Sequence, residues 1–508
     1  MNSNKVKEKS FKILFAFTAA LCIVAVIAIF AFLIIKSVPT FRRIGFFEFI
    51  FGKEWKPNVD DGFTGEINGK YGVFKMIIGT IVATLGSVLV GSVLGFFTAV
   101  FISEFCPKKL KGAFVTVINL LAGIPSVIFG FFGMVVLLPK LGVFSETGSG
   151  SGLLAVSLVL GLMILPTVVS LSKTSIDAVP DSYYEGARAL GATHEQAVFR
   201  AVVPAAKSGI VASIILGIGR AVGETMAVIM VAGNVVEYPK GLFQSFRVLT
   251  ANIVMEMGYA GDLQLGALIS TGVVLLLFIL IINLLTGLAT SGGKKDKPHK
   301  KHSIEPLAKF FHAIKIEKIG KIVAYVSAVI ASIGLISIIL FVCVNGIPHL
   351  TTQLLFGKHS VRNISIFPAI VTTLMTVGIS LAIAVPIGVF TAIFLNEYSK
   401  KGSKIVRVIR SAIDILAGVP SIVYALFGMV TFVAWFNGRQ SILAGSLTIA
   451  IMLLPTVVRS TEESLKSVSD ALREGSLALG AGKVRTIFKV VLPSALPGIA
   501  SAIILAMG

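Results

Sequence analysis

Residues 163–192 read MILPTVVSLSKTSIDAVPDSYYEGARALGA, and residues 452–481 read MLLPTVVRSTEESLKSVSDALREGSLALGA. Both begin around LPTVV, end on ALGA and carry a polar run between. Pro166 and Pro455, Glu185 and Glu474, Gly191 and Gly480, and Pro204 and Pro493 each stand 289 positions apart. A constant separation across four landmarks marks an internal repeat, so the chain reads as two tandem copies of one unit. AGIPSVIFGFFGMV at 122–135 and AGVPSIVYALFGMV at 417–430 form a second pair, 295 apart, which leaves a shorter loop in the second copy.

The solvent of these copies follows from their apolar runs. Of the 508 residues, 55% are hydrophobic and 14% charged, and the mean hydropathy is +0.92. Apolar runs of about 20 residues are long enough to cross a hydrocarbon core about 30 Å thick. Six such runs lie near 12–36, 73–103, 113–138, 152–172, 209–233 and 266–290. A further set lies near 321–346, 366–396, 408–436 and 442–459, and another run begins near 497. An all-α polytopic membrane protein is expected, with domains at 1–292 and 321–508 joined by a basic cytoplasmic linker at 293–320 that holds Lys294, Lys295, Lys297, Lys300 and Lys301.

The formal charge of +20 is topological. Lys5 to Lys12, Lys108 to Lys111, the linker and Lys400 to Arg410 all fall on one side if each run crosses once, and that side is the cytoplasm. Arg42, Arg43, Lys53 and Lys56 fall opposite, mixed with Glu48, Glu54, Asp60 and Asp61. By this rule both copies have the same orientation, as parallel repeats do. No basic, aromatic-interleaved soluble face suggests nucleic acid. The first run is long and lacks a clear cleavage pattern, so it reads as an uncleaved first span. Cys22, Cys106 and Cys343 are scattered, and the six histidines show no ligand spacing; neither a disulfide framework nor a metal site is expected.

Between the fourth and fifth runs each copy carries a cytoplasmic loop. Asp181 and Asp470 suit helix N-caps, and Gly191 and Gly480 permit a sharp exit into a second helix. This predicts a helix-turn-helix standing outside the bilayer. The fifth run of the first copy holds Arg220 and Glu224, an i, i+4 pair within a stretch of Ile, Val, Ala, Gly and Met. Charges there are costly unless paired or facing water. The guanidinium fork suits phosphate oxygens and the carboxylate can neutralise it in an empty site; a structural ion pair that fixes helix packing is the alternative. Gly123 with Pro125, and Gly418 with Pro420, are candidate helix breaks, either exposing carbonyls to a cavity or kinking the packing. GLATSGGKK from Gly287 misses a phosphate-binding loop because Gly293 holds the lysine position, and GIGRAVGE from Gly217 misses the dinucleotide fingerprint at Val222.

A Glu followed six residues later by Gly and thirteen after that by Pro, found twice, resembles the EAA loop of ATP-binding cassette (ABC) importer permeases, although the triplets here read EGA and EGS. GRAVGETMAV at 219–228, with AGIPSVIFGFFGMV, resembles the PstC-type permease of the phosphate-specific importer. LAGVPSIVYALFGMV and EGSLALGAGKVRTIFKVVLPSALPGI resemble its PstA-type partner. The resemblance implies two tandem type I ABC importer transmembrane domains, the second incomplete. It implies inorganic phosphate as substrate, Arg220 and Glu224 on its path, and Glu185, Gly191, Glu474 and Gly480 in ATPase coupling. A cytoplasmic ATPase dimer that uses ATP and an extracytoplasmic phosphate-binding protein are the implied partners, with no cofactor bound by this chain and no catalytic residue in it. The counterpart of Gly219 is Gly508, so a fragment of a longer fusion is expected. Another oxyanion such as sulfate or molybdate, an ion-coupled secondary transporter and an inactive assembly or regulatory subunit stand as alternatives.

Overall fold

The structure, a computed structural model, describes residues 2–57, 69–146, 148–291, 316–361, 363–399 and 403–507. The principal helices of the first copy are α1 Asn2–Ile44, α2 Phe74–Val100, α3 Lys108–Ala122, α4 Ser126–Phe132, α5 Leu153–Asp177, α6 Asp181–Ala189, α7 His194–Ala197, α8 Lys207–Gly223, α9 Met226–Val231, α10 Leu249–Glu256 and α11 Asp262–Ser291. The second copy contributes α12 Ile316–Gly346, α13 Phe367–Ile393, α14 Lys404–Gly418, α15 Ser421–Gly428, α16 Ile442–Ser467, α17 Asp470–Ala478, α18 Lys483–Thr486 and α19 Leu492–Met507. The named strands among the described residues are β1 Trp55–Lys56 and β2 Lys70–Tyr71, paired antiparallel. The lysines expected in the linker at 294–301 lie outside the described residues.

Among the described residues, seven helices are long and apolar enough to cross a membrane, or up to ten if each bent pair is one span. Such elements are helical because lipid offers backbone groups no partner, so each N–H must bond within its own segment. The single spans expected at 113–138 and 408–436 are instead bent pairs, with angles of 97° and 95°. Pro125 and Pro420 lie at the bends. Each lacks an N–H, and the residues before it close tighter i→i−3 bonds, Ile124 N to Leu121 O at 3.2 Å and Val419 N to Leu416 O at 2.9 Å. The helix restarts with the proline at its N-cap, where a missing donor costs nothing.

Two compact units divide the chain, Met1–Arg42 with Leu350–Gly508, and Arg43–His349. The division differs from the repeat boundaries at 292 and 321: the first helix of each copy joins the other copy's unit. In the first unit α1 buries Phe15, Ala19 and Cys22 against Ala392 and Ile393 of α13 and Val457 of α16, and Phe15 meets Phe390 and Tyr398 with ring centroids 5.3 and 5.5 Å apart. In the second unit α12 buries Ala324, Ala328, Ala331 and Leu335 against Val100, Ile102 and Leu165. Small residues at helical spacing let helix backbones approach closely, which is how van der Waals packing is gained in lipid.

Glycine serves the same end between α2 and α5. A Cβ at Gly91 would stand 2.7 Å from the carbonyl oxygen of Gly161, and one at Gly161 would stand 2.9 Å from the Val90 side chain. Gly91→Val must push the two helices apart, an overpacking loss of about 1–3 kcal/mol. Thermal unfolding of the purified protein in detergent should show a lower midpoint, and an unchanged midpoint would mean that this contact does not hold the unit together.

Candidate functional site

Arg220 lies in the last turn of α8. Its Nη1 donates to Thr167 Oγ1 on α5 at 3.1 Å, the one hydrogen bond it makes among the described residues. The i, i+4 pairing with Glu224 expected from a continuous helix does not form. Helix α8 ends at Gly223, Glu224 is extended at φ −72° and ψ 135°, and α9 begins at Met226. Two glycines in the last turn, Gly219 and Gly223, weaken the helix there, and Glu224 turns its carboxylate to the next one, accepting from Ala227 N at 3.2 Å. Its carbonyl accepts from Thr250 Oγ1 of α10 at 3.0 Å. The break therefore leaves no hydrogen bond or close ion pair between carboxylate and guanidinium among the described residues, although the Glu224 charge still acts on the guanidinium, whose hydrogen-bond partner is the neutral Thr167 hydroxyl.

Behind the break stands a polar cluster that the apolar reading of this region missed. Arg247 donates to the Asn234 carbonyl at 2.9 Å, to Asn252 Oδ1 at 3.0 Å and to Glu256 Oε1 at 2.7 Å. Glu256 is 5% exposed, and its Oε2 accepts from Trp55 Nε1 at 2.8 Å and from Gln264 Nε2 at 2.9 Å. A buried ion pair persists only where further hydrogen bonds satisfy the remaining lone pairs, as they do here. The hairpin that carries Trp55 is flanked by Glu54, whose carboxyl is drawn below its ordinary range by the hydrogen-bonded Lys70 ammonium 3.0 Å away.

The two loops expected to couple fold alike. In the first, Gly191 N donates to Arg188 O at 3.0 Å and Ala192 N to Ala187 O at 3.1 Å; in the second, Gly480 N donates to Leu477 O at 3.0 Å and Ala481 N to Ser476 O at 3.2 Å. These paired bonds close a helix C-terminus through a left-handed residue. Gly191 and Gly480 supply it at φ 88° and 81°, a conformation that a Cβ disfavours. The turn drives the preceding side chain outward, so Leu190 and Leu479 are 90% and 91% exposed. Tyr183 and Leu472, seven positions earlier, are also exposed and share that helix face. Glu185 and Glu474 are exposed on α6 and α17. Sequence reasoning singled out the glycines and glutamates and passed over the leucines, although the repeated ALGA carries them.

The loops are anchored differently. His194 accepts from the Tyr184 hydroxyl at 2.9 Å and donates from Nε2 to the Glu104 carbonyl at 3.2 Å, an assignment that follows because a carbonyl can only accept. In the second copy Arg473 takes the place of Tyr184, donating to Glu397 Oε1 at 3.1 Å and to the carbonyls of Leu465 and Val468, each at 2.6 Å. Helix α12 is clipped to the first loop by Lys321 and Glu195 at 2.9 Å, and by Arg200 and Glu317. The first unit also holds charges on α16 that the sequence reading left aside. Glu462 is flanked by Arg410 at 2.6 Å and Lys466 at 2.7 Å, and Arg459 pairs with Asp414. Among the described residues no cluster of His, Cys, Asp and Glu could hold a metal ion.

The family model described as binding-protein-dependent transport system inner membrane component matches residues 91–291 and, a second time, residues 384–508. This chain belongs to that family. As an inner membrane transport component it is a multi-pass protein of the cell membrane, built from two tandem type I importer transmembrane domains. A probable ABC transporter permease protein YqgH of Bacillus subtilis is 39% identical over 53% of this chain and 87% of the relative. The phosphate transport system permease protein PstA homolog of Mycoplasma pneumoniae is 28% identical over 96% of this inner membrane component and 82% of its own length. The phosphate transport system permease protein PstC of Haemophilus influenzae is 32% identical over 57% of this chain and 95% of the relative. The PstC likeness thus covers about one repeat, and the Mycoplasma likeness runs through both.

Proposed function

We propose that this chain is the membrane permease of an importer that carries inorganic phosphate into the cytoplasm, powered by ATP that a separate cytoplasmic ATPase dimer hydrolyses and supplied by an extracytoplasmic phosphate-binding protein. The observation that carries the reading is Arg220, a guanidinium in an apolar helix whose one side-chain hydrogen bond among the described residues is to a neutral hydroxyl. Such a group is expensive to keep in a membrane, and it repays that cost only by meeting an anion or water. Its planar fork matches two oxygens of a tetrahedral oxyanion, and Thr167 sets its direction. Glu224, turned to the α9 N-terminus, stands on the same path as the residue that shapes the break. No chemistry on the substrate is needed.

The ATPase reading rests on the matched loops. Leu190 with Tyr183, and Leu479 with Leu472, present two apolar knobs on the side assigned to the cytoplasm, where nothing in the described residues covers them. Paired apolar knobs of this kind fit grooves on the two halves of a dimer. Glu185 and Glu474 flank them and Gly191 and Gly480 fix their direction. ATP binds to the partner, and no cofactor is assigned to this chain.

The test is uptake into proteoliposomes that hold the complete permease with its ATPase and binding protein. ATP should drive accumulation of radiolabelled phosphate, with tenfold excess sulfate or molybdate failing to compete. Competition by either would move the substrate class to that oxyanion, and uptake driven by an ion gradient without ATP would overturn the importer reading.

A further inference from the structure

The Arg247 cluster is not accounted for by an anion path or by coupling loops, yet it joins both ends of the extracytoplasmic half. Trp55 sits on the β1–β2 hairpin, on the side that the charge distribution assigns to the outside. Its indole N–H reaches Glu256 at the end of α10, and Glu256 holds Arg247, which stands two residues before α10 begins. Within α10, Thr250 donates to the backbone of Glu224, four residues after Arg220. Helix α10 is held a second way, by Leu249 N donating to Thr80 Oγ1 of α2 at 3.1 Å. Named hydrogen bonds and one short helix therefore lead without interruption from the hairpin to the break beside Arg220.

The cluster is also incompletely satisfied. Asn252 is 0% exposed, and among the described residues its Nδ2 has no hydrogen-bond partner; neither has the buried Oδ1 of Asn234. Arg247 touches both residues. A buried donor and a buried acceptor left unmade at one arginine are a standing penalty, and a shift of α10 that brought partners to them would be favoured by those bonds. An element with two alternative bonding arrangements is what coupling between sites requires.

We propose that Trp55, Glu256 and Arg247 are positioning residues that tie the extracytoplasmic hairpin to the Glu224 break, so that engagement of the outside face by the binding protein sets the geometry of the Arg220 site. The inference rests on the importer reading above. None of the three touches substrate; they act through α10. Removing the indole donor loosens the hairpin from Glu256 while leaving the ring, which meets Tyr71 edge-on with centroids 5.5 Å apart, to be replaced by another ring.

The experiment uses the complete permease with its ATPase and binding protein in nanodiscs, reading ATP hydrolysis against the concentration of phosphate-loaded binding protein. Trp55→Phe should lower maximal stimulation about tenfold, the worth of one hydrogen bond to a charged group, with half-saturating binding protein and unstimulated hydrolysis unchanged. Glu256→Gln should do at least as much, and the double variant should be no worse than Glu256→Gln alone, because both act in one chain. Should Glu256→Gln fail to assemble, Trp55→Phe alone decides. Unchanged maximal stimulation would overturn the proposal, as would a shift confined to half-saturation, which would make Trp55 a docking contact. If the wild-type complex shows no phosphate-dependent stimulation at all, it is the importer reading that fails.

Discussion

Arg220→Ala reduces phosphate uptake by the reconstituted importer about thirtyfold or more, while the assembled complex is recovered in normal yield. The magnitude follows from removing one partner of a hydrogen-bonded charge contact, about 2–5 kcal/mol, at about 1.4 kcal/mol per factor of ten. Arg220→Lys retains the charge but loses the fork, and recovers only part of the rate. Thr167→Val, which removes the single acceptor that orients the guanidinium, falls between wild type and alanine. Uptake by Arg220→Ala at the wild-type rate would make the arginine a packing residue, and a correctly assembled variant that still hydrolyses ATP separates this from misfolding.

Leu190→Asp together with Leu479→Asp abolishes recovery of the ATPase with the permease. An anchor side chain at the centre of an interface contributes about 2 kcal/mol or more, and a carboxylate in its place adds the desolvation of a charge. Each single change should weaken capture of the ATPase by at least about thirtyfold on that scale. Both leucines lie on exposed turns with no intramolecular packing to lose, so thermal stability of the isolated permease stays unchanged. Retained capture by the double variant would mean that the ATPase is held elsewhere on the cytoplasmic face.

Much of this was legible because it is local. The spans announce themselves by length and composition, and the bends at Pro125 and Pro420 by the missing N–H. The turns at Gly191 and Gly480 follow from the left-handed residue that a helix C-terminus requires. The leucines beside those glycines were equally visible as letters, but an apolar residue says nothing of its exposure until the turn that carries it is built. At Arg220 and Glu224 the i, i+4 spacing pointed to a pair, and the helix broke between them. Gly223 made the break possible, the Ala227 amide of α9 took the Glu224 carboxylate, and the Thr250 hydroxyl took its backbone carbonyl.

The sequence by itself determined that the chain is a duplicated membrane protein with one external helix-turn-helix in each copy, because period, hydropathy and turn chemistry act over a few residues at a time. Only the tertiary structure decided which copy each first helix joins. Apolar helices such as α1 and α12 expose similar surfaces to lipid and protein, and two related cores offer them similar grooves, so the choice rests on the fit of Phe15 or Ala328 to a particular neighbour. The same holds for Trp55 and Glu256, which are 201 residues apart. Nothing local pairs them, and the bond exists because the folded chain brings an indole N–H to a buried carboxylate.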